Sequence, residues 1–274
     1  MSNSLARRNV AGVLPSPPGA PSSSEILRRH PPLMSASVRA LSCQIGPWFC
    51  DHVGVYHCGD CERMFGGIDF AVKPLMVDVD GVLVDGRPED GLPWQTSVEQ
   101  DFAFTSDQLD ELFFAPHWED IVVGRTGLME RLPVALEQIA PHVSPAEFLS
   151  YWFEKDSRLS ASLLEELAVI RSTGIPVYLA TNQEHLRAAY VMGRLGLAEC
   201  VDGIFYSAML GAKKPDADFF AKVQASVGLR GEEILLIDDS QRNIVAAQKA
   251  GWQGLHWTRD ISPTILRGLC TPPT

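Results

Sequence analysis

Residues 75–85 read Leu-Met-Val-Asp-Val-Asp-Gly-Val-Leu-Val-Asp, and the rest of the chain is interpreted from this stretch. A short apolar run rich in valine predicts a buried strand over residues 75–79. Asp78 and Asp80 interrupt the run, and carboxylates at positions i and i+2 leave a strand on the same face. At the carboxyl end of a parallel strand, both can point into one ligand-binding crevice. An ordinary acidic turn built on Gly81 is a second interpretation that this stretch alone leaves open.

The composition limits the class of protein and its partners. The 274 residues suffice for one large domain or two small ones, and 46% hydrophobic with 21% charged residues is typical of globular proteins. No apolar run approaches the roughly 20 residues that span a bilayer, so we expect no membrane partner. The net charge of -11 argues against nucleic acid, whose partners usually display a basic surface. A small anionic substrate stays possible if a cation compensates. The oligomeric state is not indicated.

Residues 1–70 precede the strand and are expected to be disordered or poorly structured. Residues 1–40 are rich in Ser, Pro, Ala and Arg, with Glu25 as their one acidic residue, so they bury too little apolar surface to fold. The same composition fits a transit peptide, which leaves an organelle open beside the expected cytoplasmic location. A start at Met64 or Met76 would equally leave a compact domain.

The cysteines raise the question of a zinc site. Cys58 and Cys61 lie near Cys50, His52 and His57, which could be half of such a site. The spacing is imperfect and no second pair with this spacing follows, so reduced, structurally incidental thiols are the favoured interpretation.

Strands alternate with helices on both sides of a helical insertion. Such alternation predicts a doubly wound, Rossmann-like α/β core with a parallel sheet, formed by residues 71–85 and 159–268. The predicted strands cover residues 75–79, 175–180, 203–206, 233–237 and 254–257, and the predicted helices of the core cover residues 160–172, 184–195, 216–227 and 241–250. Helices predicted at 105–114, 127–139 and 144–155 come before any second parallel strand, so residues 86–158 form a small helical domain.

Polar residues stand at or just beyond the carboxyl ends of four of the predicted strands. They are Asp78 with Asp80, Thr181 with Asn182, Lys214, and Asp238 with Asp239. Crowded carboxylates raise one another's pKa unless a positive charge lies among them, and Mg2+ is the cation that such oxygen ligands favour. Mg2+ would also bring a phosphate to the site. Lys214 adds a second positive charge, and the Thr181 hydroxyl with nearby backbone amides could hold phosphoryl oxygens.

These motifs resemble those of the haloacid dehalogenase-like hydrolases, over about residues 73–260. The four motifs are Asp78-Val-Asp80-Gly-Val, Thr181-Asn182, Lys214-Pro215-Asp216 and Ile237-Asp238-Asp239-Ser240. The resemblance implies a phosphatase in which Asp78 attacks phosphorus to give an aspartyl-phosphate and Asp80 is the general acid and then base. It implies that Thr181, Asn182 and Lys214 bind the substrate phosphate.

The resemblance also implies the metal ligands and the role of the insertion. Asp78, the Asp80 carbonyl, Asp238 and Asp239 would ligate Mg2+. Lys214 is preferred over Lys213 because the lysine of the family precedes the proline. The insertion is similar to the helical cap of the family. Its weaker candidates for substrate contact are His117, Trp118 and Arg125, for which packing or surface positions are favoured.

The activity implied is cleavage of a small organic phosphate monoester. Asp80 favours phosphate chemistry over carbon-halogen hydrolysis, whose enzymes lack this second aspartate. A phosphomutase on the same scaffold and a binding protein without turnover also stay open. Thr181-Asn182 would also suit the N-cap of the following helix. One constraint on the sheet follows: the fourth strand should lie beside the first, because Asp238 and Asp239 must reach the same cation as Asp78.

Overall fold

A computed structural model describes residues 74–270, except for the side chain of Cys270. The predictions made for residues 1–70, including disorder, a transit peptide and zinc ligands, lie outside the described residues. Over the range that the structure covers, no helix combines the length and apolar character needed to cross a bilayer.

A five-stranded parallel sheet forms the centre of the molecule, as predicted. Its spatial order is β3-β2-β1-β4-β5. The strands are β1 (Leu75–Val77), β2 (Val177–Thr181), β3 (Gly203–Tyr206), β4 (Leu235–Asp238) and β5 (Gln253–His256). The predicted adjacency of the first and fourth strands is confirmed, because β1 pairs with β4 with Val77 opposite Ile237.

Apolar side chains cover both faces of this sheet, which explains the nearly continuous apolar runs in the sequence. Leu75 and Val77 of β1 pack into one cluster of buried residues, whereas Met76 between them packs into a second cluster with Phe219 and Phe220. This alternation follows from the two-residue period of a strand. A buried central strand therefore carries Asp78 to the carboxyl edge.

Helices lie between the strands and in one long insertion. The helices of the insertion are α1 (Val98–Phe102), α2 (Ser106–Leu109), α3 (Ala115–Ile121), α4 (Leu128–Ile139) and α5 (Pro145–Lys155). The others are α6 (Ala161–Ser172), α7 (His185–Gly193), α8 (Leu197–Cys200), α9 (Ser207–Leu210), α10 (Ala217–Val227), α11 (Gln241–Lys249) and α12 (Ile265–Cys270).

The insertion, defined here as residues 94–155, differs from the prediction at its start. A 3-10 turn at Trp94–Ser97 and helix α1 come before the first helix that the sequence predicted in the insertion, at 105–114. The helix predicted to end at residue 114 instead widens into a π turn, Asp110–Phe114, and continues as α3. Pro116 explains this, since proline cannot donate to the carbonyl four residues earlier and its ring would meet that carbonyl in a regular helix.

The insertion has a hydrophobic core of its own, rich in aromatic side chains. The cluster includes Trp94, Phe102, Phe148 and Trp152, and Tyr190 of α7 packs against it. The long α5 begins where the sequence predicted, because the Ser144 side chain accepts a hydrogen bond from the Glu147 amide at 3.1 Å. The insertion is therefore a packed unit that contacts α7.

Candidate active site

Asp78 and Asp238 are brought together by the pairing of β1 with β4. The Asp78 amide continues the ladder by donating to the Ile237 carbonyl at 2.9 Å, one residue before Asp238. Asp78 is 8% exposed, and Asp238 is fully buried. Burial of two neighbouring carboxylates is costly unless positive charge accompanies them.

Lys214 supplies that positive charge. Its Nζ lies 2.9 Å from Asp78 Oδ2 and 2.5 Å from Asp238 Oδ2, and the residue is 2% exposed. Burial opposes the charged ammonium, but Asp78 and Asp238 outweigh it and raise the pKa of Lys214. Lys213 lies elsewhere, in an ion pair with Glu119 of the insertion at 2.5 Å. The structure thus places Lys214, the lysine chosen from the sequence, between the two carboxylates.

The Asp78 carboxyl retains an unusual proton affinity. Burial raises the pKa of Asp78 to about 7, with Lys214 opposing the shift and Asp238 adding to it. The Val79 amide donates to Asp78 Oδ1 at 2.8 Å and fixes the carboxyl plane. One lysine does not neutralise two buried carboxylates. The remaining negative charge favours binding of a further cation.

Asp239 completes an acidic group at this edge. One ligand atom each from Asp78, Asp238 and Asp239 lies within 4.8 Å of the others, and this group could hold a metal ion. Burial, and then Asp238, raises the pKa of Asp239. Carboxylate oxygens are the ligands that Mg2+ prefers, so these residues fit the cation implied by the sequence.

Gly81 is needed for Asp239 to occupy this position. Its φ of +77° lies in the left-handed region, and a Cβ there would stand 2.2 Å from Asp239 Oδ2. The turn after Asp80 can therefore approach the acidic group only if residue 81 is glycine.

Asn243 is a site residue that the sequence reasoning missed. Its Nδ2 donates to both oxygens of Asp238, at 3.0 and 3.1 Å, while the Ser240 amide donates to Asp238 Oδ1 at 2.8 Å. These bonds hold Asp238 in one orientation. The sequence does offer one indication of Asn243, because it is an asparagine in the first turn of the helix that follows the fourth motif.

Asp80 lies at the exposed edge of the site, where residues at and just before α7 contact its side chain. Gln183 Nε2 donates to Asp80 Oδ2 at 2.7 Å, and Arg187 Nη2 lies 3.8 Å from Asp80 Oδ1. About half of the Asp80 side chain is exposed, so it can reach a substrate. Gln183 and Arg187 were also missed, since neither belongs to a motif.

Arg187 connects Asp80 to the last helix of the insertion. Its guanidinium is buried, donates to the Phe153 carbonyl at 3.1 Å and pairs with Asp156 at 3.2 Å. It also lies 5.3 Å from the Phe153 ring and 5.5 Å from the Tyr190 ring, within cation-π range. Burial and Asp80 raise the pKa of Asp156 to about 6, against the effect of Arg187.

Thr181 is the last residue of β2 and Asn182 follows it, and the two differ in their surroundings. Thr181 is buried, with its Oγ1 3.4 Å from Gln183 Nε2. Asn182 accepts from the Lys214 amide and donates to the Lys214 carbonyl, both at 2.8 Å, so its side chain fixes the Lys214 loop. The N-cap interpretation of this pair is wrong, because α7 begins at His185 and Glu184 is its N-cap. The Glu184 side chain accepts a hydrogen bond from the Leu186 amide at 2.8 Å.

The three residues of the insertion that were candidates for substrate contact also differ in their surroundings. Trp118 lines a cavity that also borders Asp80. Arg125 forms an exposed ion pair with Asp120 at 3.0 Å. His117 lies on α3, half-buried.

Fold and site together define an α/β enzyme whose acidic centre, with one buried lysine between two carboxylates, lies at the carboxyl edge of a parallel sheet. Residues 72–251 match the family model for haloacid dehalogenase-like hydrolases. The chain belongs to this family, as the motifs of the sequence indicated.

Relatives of this chain are phosphatases with different substrates in their names. A phosphorylated carbohydrates phosphatase of Thermotoga maritima is 24% identical over 68% of this chain and 84% of its own length. A phosphoglycolate phosphatase of Pectobacterium atrosepticum is 28% identical over 69% of this chain and 81% of its length. The sesquiterpene phosphatase astK of Aspergillus oryzae is 35% identical over 39% of this chain, which spans about half, 53%, of that relative. The chain is therefore a hydrolase of the phosphatase type.

A solved structure supports the fold. A haloacid dehalogenase family enzyme of Bacteroides thetaiotaomicron, crystallised with magnesium and inorganic phosphate, is 20% identical with a TM-score of 0.60. The match covers 72% of this chain and 99% of that one. At this identity the likeness shows the architecture.

Proposed function

We propose that this protein is a Mg2+-dependent phosphatase that cleaves a small organic phosphate monoester through an aspartyl-phosphate on Asp78. The observation that carries the proposal is the position of Lys214 Nζ, 2.9 Å from Asp78 and 2.5 Å from Asp238, beside the acidic group. A nucleophilic carboxylate needs such positive charge to accept an anionic substrate.

The first half of the reaction forms the aspartyl-phosphate. The Asp78 carboxylate attacks phosphorus, the bond from phosphorus to the ester oxygen breaks, and Asp80 donates a proton to the departing alcohol. The hydrogen bond from Gln183 and the nearby guanidinium of Arg187 hold the Asp80 side chain in place. In the second half, Asp80 accepts a proton from water, the water oxygen attacks phosphorus, and the carboxylate of Asp78 is regenerated with inorganic phosphate.

The remaining site residues bind and orient the phosphoryl group. Lys214 contributes charge, Thr181 contributes a hydroxyl, and Asn182 fixes the loop that carries Lys214. Asp78, the Asp80 carbonyl, Asp238 and Asp239 would hold Mg2+, which supplies charge neutralisation to phosphoryl oxygens when bound. Asn243 keeps Asp238 oriented for this task.

The insertion acts as the cap that excludes water from this site. The contacts that join it to the core include a hydrogen bond from Ser207 Oγ to the Val122 carbonyl at 2.5 Å and the ion pair of Lys213 with Glu119. Ser207 is completely buried, so the contact at Val122 is sheltered from solvent. A cap held in this way protects the aspartyl-phosphate and covers the leaving group.

The test is phosphate release by the full chain from a panel of phosphate monoesters that includes p-nitrophenyl phosphate. We expect release that requires Mg2+ and is lost in Asp78→Asn. Glu165→Gln makes the same carboxylate-to-amide change at an exposed position on α6 and is expected to retain activity. Absence of Mg2+-dependent release from every ester, with Asp78→Asn indistinguishable from the parent, would refute the proposal. Isomer formation without net phosphate release would point to a phosphomutase.

A further inference from the structure

A cavity with an aromatic wall lies between Asp80 and the insertion. Its volume is about 550 Å³, within the usual size of small-molecule sites. Asp80 borders it on the sheet side, and the rings of Trp94, Phe114, Trp118 and Trp152 border it on the side of the insertion. Because Asp80 protonates the departing alcohol in the proposed reaction, the cavity next to Asp80 is where the rest of the substrate lies.

The aromatic wall is preformed by packing within the insertion. Trp94 and Trp152 are stacked with ring centroids 5.1 Å apart. Phe114 meets Trp118 at 5.4 Å and Trp152 at 5.3 Å, both edge to face. Phe114 is the last residue of the π turn, an irregularity that often occurs at functional sites. The wall therefore offers a fixed apolar surface at little conformational cost.

Most of the charged groups around this cavity are already paired. The exception is Asp110, which also lines the cavity, is exposed to solvent and has no ion pair among the described residues. Asp156 pairs with Arg187 at 3.2 Å, and Asp85 pairs with Arg158 at 3.0 Å and with Arg259 at 3.6 Å. Arg259 is the one basic residue among the described residues that line the cavity. An anionic leaving group would compete with Asp85 for Arg259, whereas an uncharged group would leave the pairs intact. A cationic leaving group would compete for a paired carboxylate or meet the exposed Asp110, whose attraction is weakened by solvent.

A second cavity, of about 730 Å³, also reaches the site but does not border Asp80. Gly81, Asp239, His256 and Arg259 are among its lining residues, and none of its lining comes from the insertion. An ester oxygen directed into that cavity would lie away from the general acid. The position of Asp80 therefore assigns the leaving group to the aromatic cavity.

We infer that the substrate is the phosphate monoester of an uncharged alcohol with a bulky apolar or aromatic body, which packs against the wall formed by Trp94, Phe114, Trp118 and Trp152. This inference rests on the proposed phosphatase function and adds the chemical class of the leaving group. Carboxylate-bearing and ammonium-bearing alcohols are the classes it excludes as preferred substrates.

The test compares four alkyl phosphates on the full chain with Mg2+: 2-phenylethyl phosphate, ethyl phosphate, 2-phosphoglycolate and phosphocholine. All four release aliphatic alcohols, so differences in kcat/KM report recognition of the alcohol more than its acidity. Burying a phenyl group against the wall is expected to raise kcat/KM at least about tenfold over ethyl phosphate. We expect 2-phenylethyl phosphate to exceed the two charged esters by at least the same factor.

Trp118→Leu tests whether the wall provides the preference. Trp118 is only partly buried, so its replacement is expected to leave the insertion folded, as thermal unfolding can verify. The ratio of kcat/KM for 2-phenylethyl to ethyl phosphate should fall several-fold towards one. Val134→Ala, at a 55% exposed position of α4, is the matched control in the insertion and should keep the parental ratio.

The outcomes separate this inference from the proposed function. If p-nitrophenyl phosphate is hydrolysed but ethyl phosphate, 2-phosphoglycolate or phosphocholine equals or exceeds 2-phenylethyl phosphate, the inference is overturned and the phosphatase stands. A preference for 2-phenylethyl phosphate that survives Trp118→Leu unchanged overturns the assignment of the wall. If no ester, including p-nitrophenyl phosphate, is hydrolysed, the proposed function itself has failed.

Discussion

The sheet edge and the insertion meet over Asp80 with opposite chemistries. At the sheet edge, buried charges are held in place by other charges, as Lys214 lies between Asp78 and Asp238. In the insertion, aromatic rings pack against aromatic rings and form a wall with few charges. On the proposed function, we expect the reacting phosphate and the group attached to it to be recognised by separate parts of the chain. Substitutions should accordingly separate catalysis from substrate choice.

The largest effect is expected at the nucleophile. Asp78→Asn removes the attacking carboxylate while keeping its shape, so kcat should fall by about a thousandfold or more for every ester. Phosphate release under Mg2+ saturation measures this loss. A substrate-dependent loss would contradict the division between the two regions, because the sheet edge is expected to act on the phosphate alone.

Lys214→Met is expected to affect both activity and stability. It leaves Asp78 and Asp238 buried without their counter-charge, which costs about 3–5 kcal/mol of folding free energy in comparable buried pairs. Urea unfolding with and without Mg2+ measures the cost, and Mg2+ should stabilise this variant more than the parent. Lys222→Met provides the control, since Lys222 is exposed and, within residues 74–270, its ammonium donates only to the Leu210 carbonyl. Equal stabilisation of variant and parent by Mg2+ would argue against a cation at this site.

Arg187→Met should give an intermediate effect that depends on the leaving group. Arg187 holds both Asp80 and the end of α5, so its loss should misplace the general acid. Alkyl phosphates need a protonated leaving group, and their kcat should fall about tenfold more than that of p-nitrophenyl phosphate, whose phenolate leaves readily.

The control for this prediction is Arg171→Met. Arg171 makes a comparable ion pair with Asp202, at 2.8 Å, on α6 and away from Asp80. Equal losses of kcat for both classes of ester in Arg187→Met would indicate a purely structural role.

Glu119→Gln should have the smallest effect. Its ion pair with Lys213 joins the insertion to the sheet but is exposed, and exposed pairs contribute about 0.2–1 kcal/mol. KM should rise no more than a few-fold, with less effect at high salt. Glu137→Gln, exposed on α4, is the control. A large fall in kcat would show that the insertion depends mainly on this pair for its position, contrary to expectation.

The sheet and its acidic edge were predictable because their signals are local. Two predicted strands each lead into a pair of acids, Asp78 with Asp80 and Asp238 with Asp239. In a parallel sheet, these acids come together when the two strands are neighbours. The pairing of β1 with β4 confirms that arrangement.

Residues outside the motifs were not predictable in the same way. Arg187 and Asn243 face the site from the interior of helices, where the sequence shows only a polar residue on a helix. Their roles depend on which element packs opposite them, and that is decided by tertiary structure. The π turn before Pro116 was missed because proline predicts the end of a helix more readily than a local widening.

The hydrogen bond from the Asp78 amide to the Ile237 carbonyl has a kinetic consequence. It joins β1, which is synthesised before the insertion, to β4, which follows it, so the two carboxylates meet only after the ends of a long intervening segment have come together. Contacts between residues distant in sequence are the slow ones in folding. Recovery of phosphatase activity after dilution from denaturant should therefore lag behind the return of helical signal and report the moment at which the centre of the sheet closes.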